Sequence, residues 1–595
     1  MDGDRATLTN QQVCQSANQD DTVTRRQGDK GTLRRKNLQI SLSPSLLVSI
    51  PLAFLAIFYF YPLIAITHLS LAPHQTLDLG SLAALISSSY YLRTLWFTTW
   101  QALASMGLTL AVGLPAAYVF AHYEFPGKTL LRSLTTVPFI LPTVVVAAAF
   151  TSLIGPSGLV NLGLMRLLRL DHPPIQLMGT IWMILLAHVF YNTTVVLRIV
   201  GSFWANLDPA LEHAAAVLGA NRIRRFWEIT LPLLTPAIAA AALLVFIFDF
   251  TSFGVVLILG GAQFATLEVE IYRQTVNLFN LPMAAALSLV QIACTLGLTV
   301  VYTRLQARTA RPLHLRPQEI TQQRPATFRA KMLVILMVGF IVVLVLTPLA
   351  ALVWHAASDG LQPFVELSVN RRSSYFYVPP VVAIRNSVLV AGITVAASLA
   401  LGLIAASFLS RSEVPGGGWA RRWTAILDPL FMLPLGTSAV TLGFGYIIAL
   451  DRPPLDLRAS PAMLPLAHTL VAFPFVVRSL LPVLRGIRPS LRQAAAVMGA
   501  SPWRVWREVD LPIVGRAMLV AAAFAFAISM GEFGATALVA RPEFPTMPVV
   551  INRFLGQPGA LNYGQALAMS TLLMLVCAVG IVLIERVRVG EVGEF

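Results

Sequence analysis

The sequence predicts an all-α integral membrane protein of about twelve transmembrane helices, arranged as two parallel six-helix repeats. Three observations carry this. Hydrophobic residues make up 56% of the 595 positions and charged residues only 12%, against about 25% charged in soluble domains. Apolar runs of roughly twenty residues, the length that crosses a bilayer, recur along the chain. Between two of them lies a polar, arginine-bearing stretch, LDPALEHAAAVLGANRIRRFWEITLP from Leu207 to Pro232, which returns as IRPSLRQAAAVMGASPWRVWREVDLP from Ile487 to Pro512. The register is ungapped: 219 + 280 = 499 joins Gly219 to Gly499, and the same offset joins Glu228 to Glu508 and Pro232 to Pro512. Shared helix propensity would not hold Gly, Glu and Leu-Pro in one frame, so the chain is an internal duplication.

Taken in order, residues 1–40 are polar and carry Arg25, Arg26, Lys30, Arg34, Arg35 and Lys36. They read as a disordered basic cytoplasmic tail. The first half, 41–304, has apolar spans near 46–69, 94–121, 134–155, 179–201, 235–258 and 284–304. Residues 305–331 are a basic, proline-containing cytoplasmic linker. The second half, 332–590, has spans near 332–355, 386–410, 426–450, 462–484, 514–539 and 564–585. The first run begins too late and runs too long for a cleaved signal.

Orientation follows from the arginines, which cluster in 122–132, 207–232, 304–331, 411–422, 487–512 and 586–588. The positive-inside rule places all of these in the cytoplasm, with both termini inside, if the spans are even in number. Odd parity would put the two copies of the polar stretch on opposite sides. The formal charge of +15 is accounted for by these segments, which leaves no basic face for nucleic acid.

The duplication reaches into the spans. Leu186-Ala187-His188 returns as Leu466-Ala467-His468, and Ser252-Phe253-Gly254 aligns with Glu532-Phe533-Gly534. Upstream, Leu141-Pro142 matches Leu433-Pro434 at a different offset, 142 + 292 = 434. The change falls between the third and fourth spans, where the first half has the longer outer loop. Equal topology in both halves makes the repeat parallel, about an axis along the membrane normal.

Within the duplicated stretch, Asp208 and Pro209 read as a helix start. Ala214 to Leu218 is a strong helix former, and Gly219 is placed to stop it. Asn221 in one copy and Ser501-Pro502 in the other start a second short helix, which Pro232 or Pro512 is predicted to end.

These residues resemble the EAA loop of type I ABC importer permeases. The match is His213-Ala214-Ala215, Gly219 and Ile229-Thr230-Leu231-Pro232, repeated as Gln493-Ala494-Ala495, Gly499 and Val509-Asp510-Leu511-Pro512. The family's glutamate before the two alanines is absent: His213 and Gln493 stand there, and the acid one position earlier, Glu212, faces Arg492 in the copy. The runs Leu185–Asn192, Ser252–Gln274 and Ser529–Pro548 resemble the fused permeases of thiamine and ferric-iron importers. The resemblance implies an inner-membrane permease for a small cationic solute. Two copies of an ABC ATPase would bind the loops, with Glu212, His213, Ala214, Ala215, Gly219, Glu228, Leu231 and Pro232 in one copy and Arg492, Gln493, Ala494, Ala495, Gly499, Glu508, Leu511 and Pro512 in the other. It implies an extracytoplasmic substrate-binding protein as a further partner. It also implies that this chain binds no cofactor of its own, ATP and Mg residing on the ATPase.

The chemistry present agrees with a transport role. No Gly-rich Lys-Ser/Thr phosphate loop occurs, and Gly416-Gly417-Gly418 has no such following pair. Cys14, Cys294 and Cys577 are too far apart for a metal site or disulfide framework, and no catalytic set is evident. His188 and His468 are expected to be packed and hydrogen-bonded. Intramembrane acids are costly and therefore informative. Asp249 and Glu532 fall in the fifth span of each half, Ser252 takes the place of Glu532 in the first half, and the three are read either as lining a central pathway or, for Asp249 above all, as helix–helix polar contacts or caps near the outer surface. The alternative from another class is a twelve-span transporter driven by an ion gradient, which would have no use for two matched Ala-Ala…Gly…Leu-Pro loops.

Overall fold

The computed structural model describes residues 48–73, 76, 78–261, 263–309, 322–358, 360–370, 378–410, 418–451 and 455–588. The basic tail, Gly416-Gly417 and the linker stretch 310–321 lie outside them. From Pro44 onward the chain is one compact unit. Among the described residues the secondary structure is helical apart from a single bridge between Tyr123 and Gln323, by which the end of the linker pairs with the loop after the second span.

The first half contains α1 (Ser49–Leu71), α2 (Ser89–His122), α3 (Lys128–Ile140), α4 (Thr143–Ile154), α5 (Ile181–Ala205), α6 (Ala210–Val217), α7 (Arg222–Phe250), α8 (Gly254–Leu259), α9 (Leu267–Tyr272) and α10 (Leu281–Leu305). The second half contains α11 (Phe328–Ser358), α12 (Val382–Ser410), α13 (Gly418–Met432), α14 (Ala439–Ala449), α15 (Met463–Gly486), α16 (Pro489–Val497), α17 (Pro502–Gly531), α18 (Gly534–Val539), α19 (Met547–Leu555) and α20 (Ala560–Gly580). Eleven described helices are long and apolar enough to cross a membrane, and a pair bent by 95° at Gly436–Ala439 makes a twelfth.

Three expected boundaries change. The third span of the second half is not one rod but the pair α13 and α14, bent beside Leu433-Pro434, and in the first half the span Thr143–Leu168 begins after a break at the matching Leu141-Pro142 that separates it from α3. The fifth span does not run on to residue 258 or 539: it ends at Phe250 or Gly531, and after a break a short helix, α8 or α18, continues. The apolar runs that cross these breaks carry no periodicity change that would reveal them. The outer loop 155–177 also holds a helix, Leu159–Leu168.

Pro232 and Pro512 do not end helices. Residues 222–250 and 502–531 are each continuous through the proline, which sits at the second position after a π-helical turn, Phe226–Thr230 or Trp506–Asp510. Pro62 follows the π turn Ala56–Phe60 in the same way. Proline lacks the N–H for an i−4 bond and its ring crowds that carbonyl. Widening the preceding turn to i→i+5 relieves both problems without breaking the rod.

Packing repeats between the halves. α2 lies along α5 and α7, as α12 lies along α15 and α17. The first span of each half crosses to the other: α1 packs on α14, and α11 packs on α4. Tyr59 Oη hydrogen-bonds Thr437 Oγ1 at 2.7 Å across the first of these contacts. Ser152 Oγ meets His355 Nδ1 at 2.9 Å across the second. Small residues allow the closest approaches. A Cβ on Gly443 would lie 2.9 Å from Ala535 Cα and 3.1 Å from its carbonyl oxygen, so α14 touches α18 backbone to backbone.

That contact yields a test. Gly443→Ala forces two backbones apart and is expected to cost about 1–3 kcal/mol, lowering the melting temperature of the purified chain in detergent. Gly297→Ala, in α10 with no atom near the added methyl, is expected to leave it unchanged or raise it, because alanine favours helix. Equal shifts for both would remove close packing as the reason for Gly443.

Candidate functional site

The two copies of the duplicated stretch fold alike. In the first, Asp208 Oδ1 accepts from Ala210 N at 2.9 Å at the start of α6. The helix ends in a Schellman turn: Gly219 N donates to Ala216 O and Ala220 N to Ala215 O, both at 3.0 Å, with Gly219 at φ +87°. In the copy Gly499 N donates to Ala496 O and Ala500 N to Ala495 O at 3.0 Å, with Gly499 at φ +84°. Only glycine takes this left-handed torsion without strain. Asn221 Oδ1 then caps the next helix on Arg224 N at 2.8 Å, and Ser501 Oγ does so on Arg504 N at 3.4 Å.

The turn projects apolar side chains outward. Val217 and Leu218 are each 87% exposed, and their counterparts Val497 and Met498 are 88% and 82% exposed. His213, Ala214, Glu228, Pro232, Gln493, Ala494, Glu508 and Pro512 are also exposed, whereas Ala215, Leu231 and Leu511 are half-buried and Ala495 is buried. Glu228 and Glu508 pair with exposed Arg224 and Arg504 one turn earlier, at 2.9 and 3.0 Å, contacts that contribute little to stability in water.

Glu212 and Arg492 have a different task. Glu212 Oε1 accepts from Thr230 Oγ1 at 2.5 Å. At the matching positions Arg492 Nε donates to Asp510 Oδ1 at 2.8 Å. Each bond ties the short helix α6 or α16 to the base of the long helix α7 or α17. The acid therefore changes sides of the latch between copies, from position 212 to position 510. This resolves the missing symmetry of Glu212 and Arg492. The signal was present in the aligned copies as a paired change, Glu to Arg at one place and Thr to Asp at the other.

At the far end of α7 and α17 lies a second matched pair of sites. His188 on α5 meets Ser105 Oγ through Nδ1 at 2.9 Å and Ser252 Oγ through Nε2 at 2.8 Å, and its Nδ1 lies 3.4 Å from Asp249 Oδ1. Asp249 Oδ1 accepts from Asn192 Nδ2 at 2.7 Å, and its carbonyl accepts from Gln101 Nε2 at 2.7 Å. His468 on α15 meets Ser529 Oγ through Nδ1 and Thr536 Oγ1 through Nε2, both at 2.8 Å, and its Nε2 lies 3.3 Å from Glu532 Oε2. By the 280 offset Asp249 corresponds to Ser529, and Ser252 to Glu532. Each histidine is thus held between one acid and one hydroxyl at the same two backbone positions, with their order exchanged. All of these side chains are buried apart from the half-buried Ser252.

Glu532 does not lie along a helix three positions beyond Asp249. It has left α17 with extended backbone, φ −68° and ψ 118°. Its Oε1 accepts from Ala535 N at 2.8 Å, and its Oε2 accepts from Thr536 N at 3.0 Å and Thr536 Oγ1 at 2.5 Å. It caps α18, supplying acceptors that the first turn of a helix lacks. Both oxygens of Glu532 are engaged by protein donors, whereas Asp249 has Oδ1 on Asn192 and beside His188 and its buried Oδ2 without a hydrogen-bond partner.

The feature between the two breaks is aromatic. Phe253 and Phe533, equivalent by the 280 offset, stack with centroids 5.4 Å apart and planes at 26°. They come from opposite halves and meet where the pseudo-two-fold axis passes. Both are buried. Sequence alignment of the Phe-Gly pairs finds these positions but not their contact. Two further buried acids lie on α9, outside the site residues that the sequence singled out. Glu268 accepts from Gln291 Nε2 at 3.0 Å and from Ser438 Oγ of the second half at 2.5 Å, and Glu270 accepts from Tyr90 Oη at 2.8 Å and Gln274 Nε2 at 2.7 Å.

Two outcomes are expected from this geometry. Glu532→Ala removes the cap and is expected to cost about 1–3 kcal/mol, with Glu532→Gln intermediate because it keeps one acceptor. Melting curves and solute uptake read this together: unchanged melting with lost uptake would return Glu532 to the pathway. For the latch, Arg492→Glu sets two carboxylates against each other, which should loosen α16 and speed proteolysis of the turn. The double change Arg492→Glu with Asp510→Thr recreates the first copy's latch and is expected to restore protection; failure to restore it would show that the bond is incidental.

Residues 110–311 match the family described as binding-protein-dependent transport system inner membrane component. The thiamine transport system permease protein ThiP of Brucella abortus (strain 2308) is 28% identical over 519 residues, covering 86% of this chain and 91% of that protein. ThiP of Escherichia coli (strain K12) is 26% identical over 515 residues, covering 84% and 90%. The structure of a bacterial alginate ABC transporter in complex with alginate pentasaccharide-bound periplasmic protein aligns with 46% of this chain and 96% of its own, at 20% identity and a TM-score of 0.38. With the duplicated loop, the apolar spans and relatives that match nearly end to end, the chain is a multi-pass membrane protein similar to the fused permeases of binding-protein-dependent ABC transport systems.

Proposed function

We propose that this chain carries a small cationic solute, thiamine or ferric iron in class, inward across the membrane, driven by ATP hydrolysis on two partner ATPase subunits. The observation that carries the ATPase part is the pair of matched turns. Val217-Leu218-Gly219 and Val497-Met498-Gly499 hold four large apolar side chains in the open on two glycine-fixed turns. Such side chains are costly in water and mark interaction sites. The two turns and the arginine-bearing segments around them lie on the cytoplasmic side, with both termini. An extracytoplasmic binding protein delivers the solute to the opposite face. ATP and Mg belong to the ATPase, and this chain holds no cofactor. The thiamine permeases among its relatives support the choice of solute.

The mechanism follows from the helices that run through their prolines. α7 and α17, of 29 and 30 residues, each span ~43–45 Å at 1.5 Å per residue. Each is a rod with a latched turn at one end and a break at the other. Rotation of the turns as the ATPases close swings the far ends of the rods. Those ends carry Phe253 and Phe533, whose stacking closes the space between the halves. Separation of the rings opens it. The His188 and His468 sites keep the breaks in shape during the swing, since each histidine, on α5 or α15, holds one partner on the rod and another in or beyond the break.

The purified chain alone is expected to hydrolyse no ATP and to gain activity on addition of its ATPase. Leu218→Asp and Met498→Asp are each expected to weaken ATPase association by tenfold or more, as removal of a buried apolar anchor does, by about 1.4 kcal/mol per tenfold. Both should leave the melting temperature unchanged, because the side chains contact little in the chain itself. Co-purification and uptake measure this. ATPase binding intact in both variants would dismiss the turns as the docking surface, and hydrolysis by the chain alone would dismiss the division of labour.

A further inference from the structure

The second half has a lipid-facing groove. It lies between α12, α17 and α20, has a volume of about 700 Å³, and is lined by apolar residues including Gly392, Leu519, Ala523 and Gly580. Leu519 is 58% exposed, as is Leu575 on the opposite wall, so the groove opens at the apolar surface. At matching positions the first half carries larger side chains. By the 280 offset Ala523 corresponds to Leu243, and in the last span, where buried Ser570, Leu573 and Cys577 repeat buried Ser288, Gln291 and Thr295 at 570 − 288 = 282, Gly580 corresponds to Leu298. On the second span, where Ser387 plays for Met547 N the part Thr98 plays for Leu267 N, the offset is 387 − 98 = 289 and Gly392 corresponds to Leu103.

A cation stands at one end of the groove. Arg516 is exposed and lies three, seven and ten residues before Leu519, Ala523 and Phe526, on the same stripe of α17. It is one turn nearer the docking turn than the groove itself, and helical side chains lean toward the N-terminus, here toward that membrane surface. Its counterpart in the first half is Pro236. Apolar groove and cation therefore occur together in the second half, and the cation is missing from the first. A charged head with an apolar tail matches that combination, and a basic residue at the mouth of a cleft between transmembrane helices selects an anionic head group.

We propose that the groove holds an acyl chain of one anionic phospholipid, from the leaflet on the docking-turn side, with its phosphate on Arg516. The site is independent of the solute and of ATPase docking. The test is native mass spectrometry of the purified full chain after incubation with equal amounts of phosphatidylglycerol and phosphatidylcholine of the same acyl chains. Wild type is expected to retain phosphatidylglycerol about tenfold over phosphatidylcholine, and Arg516→Gln to bring the two near parity. The pair Ala523→Leu with Gly580→Leu installs the first half's own side chains and is expected to lower retention of both lipids. Unchanged preference in Arg516→Gln overturns the proposal. So does full retention in the filled variant at normal melting temperature, or recovery of a single-span polypeptide in place of phospholipid. Should the filled variant not fold, the Arg516→Gln comparison alone decides, since that side chain is at the surface.

Discussion

Backbone polar groups inside a bilayer must find partners within the protein, and this constraint governs where the helices can break. Every break at the centre of the molecule is matched by a side chain brought to it. Tyr191 Oη donates to Leu141 O beside the α3–α4 hinge at 3.0 Å. Ser438 Oγ accepts from Val440 N and Thr441 N at the start of α14. Gln101 and Thr266 donate to the carbonyls of Asp249 and Ser252, and Glu532 accepts from the first amides of α18. Thr98 and Ser387 take the first amides of α9 and α19. The polar residues that look costly in a hydropathy reading are largely the partners of interrupted backbone.

The same constraint explains how the halves have diverged without losing their common shape. A break needs a satisfied set of donors and acceptors, not a particular residue at a particular place. Asp249 and Ser252 therefore exchange roles with Ser529 and Glu532 around equivalent histidines. The latch of the duplicated loop shows the same freedom, with Glu212 and Thr230 on one side and Arg492 and Asp510 on the other. In each case both members of the set changed together. A lone change would leave a buried polar group without its partner, at a cost of about 1–3 kcal/mol.

Rods and breaks divide the mechanical work. The rods α7 and α17 survive their prolines because a π turn absorbs the misfit, which keeps the docking turn rigidly joined to the centre. The breaks at 251–253 and 532–533 free the chain to turn inward, where Phe253 and Phe533 meet on the axis. Side chains held from two elements at once, His188 and His468 among them, keep those turns from collapsing as the rods move.

Much of the architecture was legible in the residues alone. Composition, run length and the ungapped 280-residue repeat gave class, span number and the place of the duplicated turn, because these depend on local periodicity and on the bilayer's thickness. Gly219 and Gly499 were readable as helix stops because a left-handed torsion is a local demand. The interior was not readable in the same way. Whether Leu433-Pro434 bends a span, whether Pro232 ends a helix or sits behind a π turn, and whether Glu532 faces a pathway or caps α18 depend on which atoms of distant segments arrive at that point. Phe253 and Phe533 are 280 residues apart in the chain, and only the folding of one half against the other brings their rings together. The groove beside Arg516 has the same origin: small residues on three helices become a cavity only when those helices pack.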